Sequence, residues 1–217
     1  QMKKFNILFT IIFLCSCSLQ ANKVSQYPKH WWEPVLDRAA PTWEILPQSG
    51  DYEQSVILSK RNELGILSNF AHTPFVFEDK KYESVEGLWQ SMKYPESAKD
   101  PRSKSNWKYT RSQVEQMIAF NAKRAGSLAS RNMNDQNINW VSYNGKRMTY
   151  RTQEKGTHYQ LIKKIMKAKL DQNPKVKQVL LATKNLILLP DHKTKKDSPP
   201  AWKYNIIWME LRSEYLQ

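Results

Sequence analysis

Several residue types on which common active sites depend are scarce in this 217-residue sequence. Its two cysteines both lie in an apolar leader, which leaves the rest of the chain without a disulfide or a thiol nucleophile. Glycine-rich phosphate loops, Gly-x-Ser-x-Gly motifs, internal repeats and a second apolar span are absent. The four histidines lack the spacing of metal ligands, so we expect neither a metal nor another cofactor: His30, His72, His158 and His192.

Positive charge, in contrast, is abundant. The 34 lysines and arginines outnumber 20 acidic residues, for a net charge of +14. Such a surplus predicts attraction to phosphates, nucleic acid or an anionic membrane, but it identifies neither a fold nor a site. Eight tryptophans and ten tyrosines provide flat rings for stacking, although most such rings fill the core of a protein.

The leader has the pattern of a signal peptide. Lys3 and Lys4 precede a predominantly apolar run, 5–14, which is too short to span a bilayer comfortably. The following residues, up to Cys17, resemble a bacterial lipobox, which implies cleavage before Cys17 and lipidation of its thiol. We therefore expect a lipoprotein signal peptide at 1–17 and a protein anchored in the bacterial cell envelope, periplasmic or at the outer surface. An ordinary secretory signal cut a few residues later, or an uncleaved apolar arm, is the alternative.

Residues 18–50 are predicted to form an extended tether, and residues 51–217 the globular domain. Prolines recur in the tether at a spacing that breaks both helix and strand: Pro28, Pro34, Pro41 and Pro47. Three tryptophans, unusual for a spacer, either pack back on the domain or lie at a membrane surface: Trp31, Trp32 and Trp43.

The stretch 65–93 organises the domain. Its last third predicts a helix, capped by Ser84, with one apolar face formed by Val85, Leu88, Trp89 and Met92. A second row of side chains, Glu86, Gln90 and Lys93, emerges about a third of a turn away. The same row also fits a merely solvated helix face. Upstream, 75–77 and Tyr82 predict a hairpin with a turn at 78–81, and Ser68, Asn69 and Phe70 lie in a loop.

The remaining pattern predicts a helix-rich α+β single domain with a small antiparallel sheet. Strands are expected at 54–59 and 186–189, and helices at 159–170, 176–183 and 204–215. A capping box at Ser112 and Glu115 predicts a helix that Gly126 ends, followed by an irregular stretch at 127–139. Four lysines are expected on the outer, solvated face of the 159–170 helix: Lys163, Lys164, Lys167 and Lys169.

Two carboxylates and two indole rings are the best candidates for chemistry. Glu86 leads the polar row, and Asp191 stands at the end of a predicted buried strand. Trp140 and Trp202 fall in segments predicted to be irregular. This combination suits hydrolysis at a sugar carbon, because a carboxylate stabilises an oxocarbenium-like transition state and an indole face stacks on a base.

The residue pattern L-S-N-F, followed after about fifteen residues by S-V-E-x-x-x-Q-x-x-K, resembles the signature of the NADAR family (YbiA-like proteins). The resemblance covers roughly residues 56–216. The matching positions are Leu67, Ser68, Asn69, Phe70, Ser84, Glu86, Gln90, Lys93, Ala122–Gly126, Trp140, 180–183, Trp202, Asn205 and Met209–Arg212.

This resemblance implies a YbiA-like fold and N-glycosidase activity on a phosphorylated riboflavin-pathway intermediate or an ADP-ribosyl adduct, including ADP-ribosylated nucleic acid. It implies that Glu86 stabilises the cationic sugar or activates water, with help from Asp191. Trp140 and Trp202 would stack on the base, Ser68 and Asn69 would bind sugar or phosphate, and Lys93 would pair with phosphate. Phe70, Gln90 and Asn205 complete the implied binding set.

The chain departs from the family before its final helix, where a Trp-Gly pair and a glycine-rich loop are missing. Four lysines there either supply positive charge or belong to an exposed flexible loop: Lys193, Lys195, Lys196 and Lys203. Two alternatives therefore stand beside the enzyme. One is a catalytically inactive lipoprotein that binds ADP-ribose or a nucleotide, and the other is a surface lipoprotein that binds polyanions.

Overall fold

The computed structural model of the protein describes residues 25–36 and 40–216. Its helices are α1 (Val85–Ser91), α2 (Arg111–Glu115), α3 (Ala119–Asp135), α4 (Thr157–Gln172), α5 (Pro174–Ala182) and α6 (Tyr204–Leu216). Its strands are β1 (Ser55–Ile57), β2 (Phe75–Phe77), β3 (Lys80–Tyr82), β4 (Trp140–Tyr143), β5 (Lys146–Thr149) and β6 (Ile187–Leu189). This architecture confirms the predicted helix-rich α+β class.

The leader and Cys17 lie outside the described residues, so lipidation stays a prediction. Within the described part of the chain, no helix has both the length and the apolar character that crossing a membrane requires.

The strands form three separate pairs rather than the one small sheet expected from sequence. β2 pairs with β3, and β4 with β5, both antiparallel. β1 and β6 are parallel, with Ser55 opposite Ile187, although they are far apart in the sequence. Because parallel strands end at the same edge, this pair brings Lys60, which follows β1, to Asp191, which follows β6, and the two form an ion pair.

The helix α1 lies at the centre, packed against α2, α3 and α4. Ser84 caps it as predicted: its Oγ accepts a hydrogen bond from the backbone N–H of Gly87 at 2.9 Å. The same hydroxyl donates to the carbonyl of Met117 at 2.9 Å. A Cβ on Gly87 would lie 2.4 Å from that carbonyl oxygen, so the absent side chain allows the junction of α2 and α3 to approach α1.

The hairpin of β2 and β3 is confirmed, with a tighter turn than predicted. Glu78 and Asp79 alone form the turn, and both have left-handed backbones, with φ of 47° and 63°. Two successive residues of this kind are typical of a type I′ turn, which matches the twist of an antiparallel pair. Lys80 and Lys81, which were assigned to the turn from sequence, begin β3 instead.

The prediction for 112–139 was wrong in three respects. The capping box belongs to Thr110 and Gln113 rather than Ser112 and Glu115. The short α2 ends at Glu115, and α3 continues through Gly126 to Asp135, so most of the stretch predicted as irregular is helical. The buried face of α3 consists largely of small residues, which carry a weak periodic signal: Ala122, Ala125, Gly126, Ala129 and Met133.

The described part of the predicted tether packs on the domain instead of extending from it. Trp31 and Trp32 are buried in the main hydrophobic core. The indole N–H of Trp32 donates to the carbonyl of Ser55 at 2.8 Å, and that of Trp31 donates to Glu63 Oε1 at 2.6 Å. Burying two indoles with their N–H groups satisfied holds the segment in place even though its prolines exclude regular structure.

Candidate active site

A cavity of about 450 Å³ opens beside α1 at the end of the β1–β6 pair. Many parts of the chain contribute to its wall: the N-terminal segment, the loops after β1 and β6, the 68–70 loop, α1, α4, residues 201–202, and the first turns of α3 and α6. Polar, charged and aromatic side chains make up much of the lining: Trp43, Lys60, Ser68, Asn69, Phe70, Glu86, Trp89, Gln90, Phe120, Lys123, His192, Lys193 and Trp202.

Glu86 is a buried carboxyl group in this wall, with 7% of its surface exposed. The Nε2 of Gln90, one helical turn later, donates to Glu86 Oε1 at 2.8 Å. Burial raises the pKa of Glu86, and this effect outweighs the opposing hydrogen bond from Gln90 and the positive charges of Lys93 and Lys123. A carboxyl group with a raised pKa, facing a cavity, is suited to transferring protons.

The 68–70 loop forms the wall beside Glu86. The carbonyl of Asn69 accepts a hydrogen bond from the backbone N–H of Glu86 at 3.0 Å, which ties the loop to the first turn of α1. Among the described residues, the Oδ1 of Asn69 is buried without a hydrogen-bond partner. A buried amide oxygen without a partner costs free energy, and a ligand hydroxyl or N–H would satisfy it.

Lys169 stabilises this loop by hydrogen bonds to its backbone. Its Nζ donates to the carbonyls of Ile66 and Ser68 at 2.7 and 2.8 Å, and burial lowers its pKa to about 7. The prediction that Lys169 lies on the solvated face of its helix was therefore wrong. The partners of its ammonium group are backbone carbonyls of a loop that is distant in the sequence, so the helical pattern around Lys169 does not reveal them.

Two groups of aromatic rings line the cavity. Phe120 contacts Phe70 and Trp43 edge to face, with ring centroids 5.3 and 6.1 Å apart. Trp89 and Trp202 also belong to the lining, and both rings contact Tyr150, at 5.7 and 6.3 Å. Such surfaces accept the face of a heterocyclic base.

Cationic groups surround the same space. The ammonium groups of Lys60 and Lys123 lie 5.4 and 5.9 Å from the centre of the Phe70 ring. Lys193 and His192 follow Asp191 in the loop after β6 and also line the cavity. A ligand that is flat at one end and anionic at the other matches this combination of rings and positive charge.

Asp191 lies just behind the wall rather than in it. Its side chain is 2% exposed, forms an ion pair with Lys60, and accepts a hydrogen bond from His192 Nδ1 at 3.0 Å. Burial by itself would raise the pKa of Asp191, but the hydrogen bonds from His192 and Lys60 outweigh it and lower the pKa. Asp191 is therefore a carboxylate that orients two cavity residues.

The structure brings together Ser68, Asn69, Phe70, Glu86, Gln90 and Trp202 from the predicted set. Four other members do not line the cavity: Lys93, Trp140, Asp191 and Asn205. The Nζ of Lys93 donates to Ser130 Oγ at 3.0 Å, and burial lowers its pKa to about 8. The amide of Asn205 donates to the carbonyl of Leu188 at 2.9 Å. Both polar groups thus have partners inside the protein.

Trp140 was predicted to be a stacking platform in an irregular segment. The irregular segment was wrong, and Trp140 is not among the residues that line the cavity. It begins β4, and the guanidinium groups of Arg102 and Arg147 lie 4.5 and 4.2 Å from the centre of its ring. The Trp140 ring therefore makes cation–π contacts with two arginines outside the cavity lining.

Sequence reasoning missed Lys60, Lys123, His192, Trp43 and Phe120 as cavity residues. The lysines are two among many and show no distinctive spacing, and Phe120 lies in a stretch predicted as plain helix. One signal was available for His192, because an Asp-His pair directly after a strand is a common arrangement at functional sites.

No protein-family model matches the chain, and no curated protein does. Among solved structures, the chain is similar to the NMR structure of the E. coli protein YbiA. The match has 18% sequence identity and a TM-score of 0.47, and it covers 75% of this chain and 86% of that one.

Proposed function

We propose that this protein is a NADAR-type N-glycosidase that hydrolyses the bond between a sugar and a base in a phosphorylated nucleoside-like substrate. The observation that carries the proposal is Glu86, a buried carboxyl group with a raised pKa in a cavity lined by aromatic rings and ammonium groups. The sequence resemblance described above supports the same assignment.

The chemistry requires a negative charge beside a sugar carbon that becomes cationic in the transition state. Glu86 provides that charge, accepts a proton from the attacking water, and is oriented by the amide of Gln90. Asn69, with its unpartnered oxygen among the described residues, offers a contact for a sugar hydroxyl. Phe70, Phe120 and Trp202 offer faces for the base.

The positive charge favours a phosphorylated substrate. Lys60, Lys123 and Lys193 reach the cavity from three different segments. We assign phosphate binding to these lysines instead of Lys93, because the ammonium group of Lys93 is bound inside the protein. The volume, about 450 Å³, lies within the range of about 300–1,000 Å³ typical of small-molecule sites. A riboflavin-pathway intermediate or an ADP-ribosyl adduct meets these requirements.

One observation favours a second function, binding without hydrolysis. Most glycosidases use a pair of carboxyl groups, whereas Glu86 is the one carboxyl group that lines the cavity among the described residues. A binding protein of this kind would hold ADP-ribose tightly and release no base.

The test is a base-release assay, followed by mass spectrometry, on a panel of phosphorylated N-nucleosides and ADP-ribosylated guanine in DNA. Glu86→Gln keeps the shape of the side chain and the contact with Gln90, and should reduce turnover by about 10²–10⁴-fold. Glu154→Gln, at an exposed position, is the matched control and should retain full turnover. Equal turnover of the two variants would refute the proposal, and calorimetric binding of ADP-ribose without base release would favour the binding protein.

We also propose that the protein is held in the bacterial cell envelope by a lipid on Cys17. The support is the lipobox-like sequence alone. Metabolic labelling with a palmitate analogue should mark the full chain and not Cys17→Ser, and labelling of both would refute the anchor.

A further inference from the structure

We infer that His192 is the general acid that protonates the departing base, and that Asp191 is the positioning residue that holds it. The inference rests on the proposed N-glycosidase function. Among the described residues, Glu86 is the one carboxyl group in the cavity wall, so the second proton-transfer role needs another side chain. The inference assigns that role to His192.

The contact between Asp191 and His192 assigns one ring proton to Nδ1, so the proton that His192 transfers is the second one, which Nε2 carries in the imidazolium form. Asp191 is held as a carboxylate, and a carboxylate only accepts hydrogen bonds. The Nδ1 of His192, 3.0 Å from Asp191 Oδ1, must therefore be the donor. The opposite ring nitrogen, Nε2, has no hydrogen-bond partner within residues 25–36 and 40–216 and is left for a ligand.

The ring is also held from its face. It is stacked on Tyr204, with planes 7° apart and centroids separated by 6.2 Å. The backbone of His192 pairs with that of Glu44 in an isolated antiparallel bridge, which fixes the loop that carries the ring. A side chain fixed by a hydrogen bond, a stacking partner and a paired backbone is pre-organised for proton transfer.

His192 and Glu86 line the same cavity, and the positive charge that His192 carries when protonated is close enough to oppose the effect of burial on Glu86. A negative group and a proton donor in one cavity are the two components that glycoside cleavage needs. Asp191 takes the role of orienting the acid because its own oxygens are occupied by His192 and Lys60.

The proposed step balances. The bond between C1′ and the base nitrogen breaks and its electron pair goes to the base. A ring nitrogen of the base takes the Nε2 proton of the His192 imidazolium, which becomes the neutral imidazole with its remaining proton on Nδ1. The oxygen of water forms the new bond to C1′, and its proton goes to the carboxylate of Glu86. The products are the free base and the sugar phosphate, and exchange with solvent returns the proton from Glu86 to His192.

Leaving-group dependence tests this role. Guanosine 5′-monophosphate needs protonation of its base, whereas 4-nitrophenyl β-D-ribofuranoside 5-phosphate releases a phenolate that leaves without it. His192→Asn keeps a donor near Asp191 but has no acid, so guanine release should fall by about 10²-fold or more while nitrophenol release stays within about threefold. Asp191→Asn should show the same split with a smaller loss.

The matched control is His72→Asn, because His72 is an exposed histidine that also pairs with a carboxylate, Glu83, away from the cavity. It should leave both rates unchanged. Wild-type protein that cleaves both probes, with His192→Asn slowing both equally or neither, would overturn the assignment of His192 alone. Wild-type protein that cleaves neither these probes nor any substrate of the base-release panel would refute the proposed function and the inference with it.

Discussion

Replacing Gly126 by alanine tests how the centre of the structure holds the Glu86–Gln90 pair. A Cβ at this position in α3 would lie 1.7 Å from Gln90 Oε1, 2.2 Å from its Cδ and 2.8 Å from its Cγ. Gln90 is buried and bonded to Glu86, so it cannot swing aside without losing that hydrogen bond. The absent side chain of Gly126 thus makes room for the amide that orients the proposed catalytic carboxyl group.

Two opposing effects set the size of the change. Alanine is favoured over glycine in a helix interior by about 1 kcal/mol. Against that, overpacking a core costs about 1–3 kcal/mol, and leaving a buried polar group without its partner costs about 1–3 kcal/mol. We therefore expect Gly126→Ala to lower the free energy of unfolding by about 1–5 kcal/mol.

The measurement is urea unfolding followed by circular dichroism, in the wild-type background and in Gln90→Ala. Gln90→Ala removes all three atoms that the new Cβ would meet. In that background the helix preference acts alone, and Gly126→Ala should stabilise the protein by about 1 kcal/mol. A destabilisation of equal size in both backgrounds, or none in the wild type, would refute the explanation.

Three further predictions concern buried and stacked groups. Because folding lowers the pKa of Lys169 from 10.5 to about 7, the unfolded chain binds more protons between those pH values, so this group makes stability rise with pH there; unfolding free energies from pH 6.5 to 9.5 should lose that slope in Lys169→Met. Trp31→Ala should cost about 3–5 kcal/mol in urea unfolding, whereas Trp43→Ala, at a half-exposed ring, should cost far less. Trp202→Ala should weaken ligand binding by about 1–3 kcal/mol in calorimetry, whereas Trp140→Ala should leave affinity unchanged and lower only stability. Three results would contradict the respective assignments. They are an equal pH slope of the unfolding free energy in Lys169→Met and the wild type, similar stability losses in Trp31→Ala and Trp43→Ala, and weakened binding in Trp140→Ala.

The local elements could be predicted where one face of the chain is strongly apolar. The helix after Ser84, the hairpin before it, and the last three helical or strand segments follow from periodicity and capping. The helix α3 could not, because its buried face consists of small residues around Gly126, whose role is to admit Gln90 from another helix. That role depends on a contact between residues 36 positions apart, which no local pattern records.

The candidate site divides in the same way. Glu86 and Gln90 were identifiable as a row on one helix, and Ser68, Asn69 and Phe70 by their resemblance to a family signature. The placement of Trp140 and Lys93 was not identifiable. A tryptophan beside two guanidinium groups, or a lysine bound to a partly buried hydroxyl, cannot be told by sequence from one that faces a ligand.

By itself, the sequence determined the helices and strands that have a strongly apolar face, and the helix face that bears the carboxyl group, since these depend on neighbours within a few residues. Only the tertiary structure decided that Lys60, Lys123 and His192 reach the cavity of Glu86, since parallel pairing of β1 with β6 and packing of α3 on α1 bring them there. Preferences for helix or strand depend on residues that are close in the sequence. The charge and shape of a cavity depend on side chains that meet only when distant segments pack together.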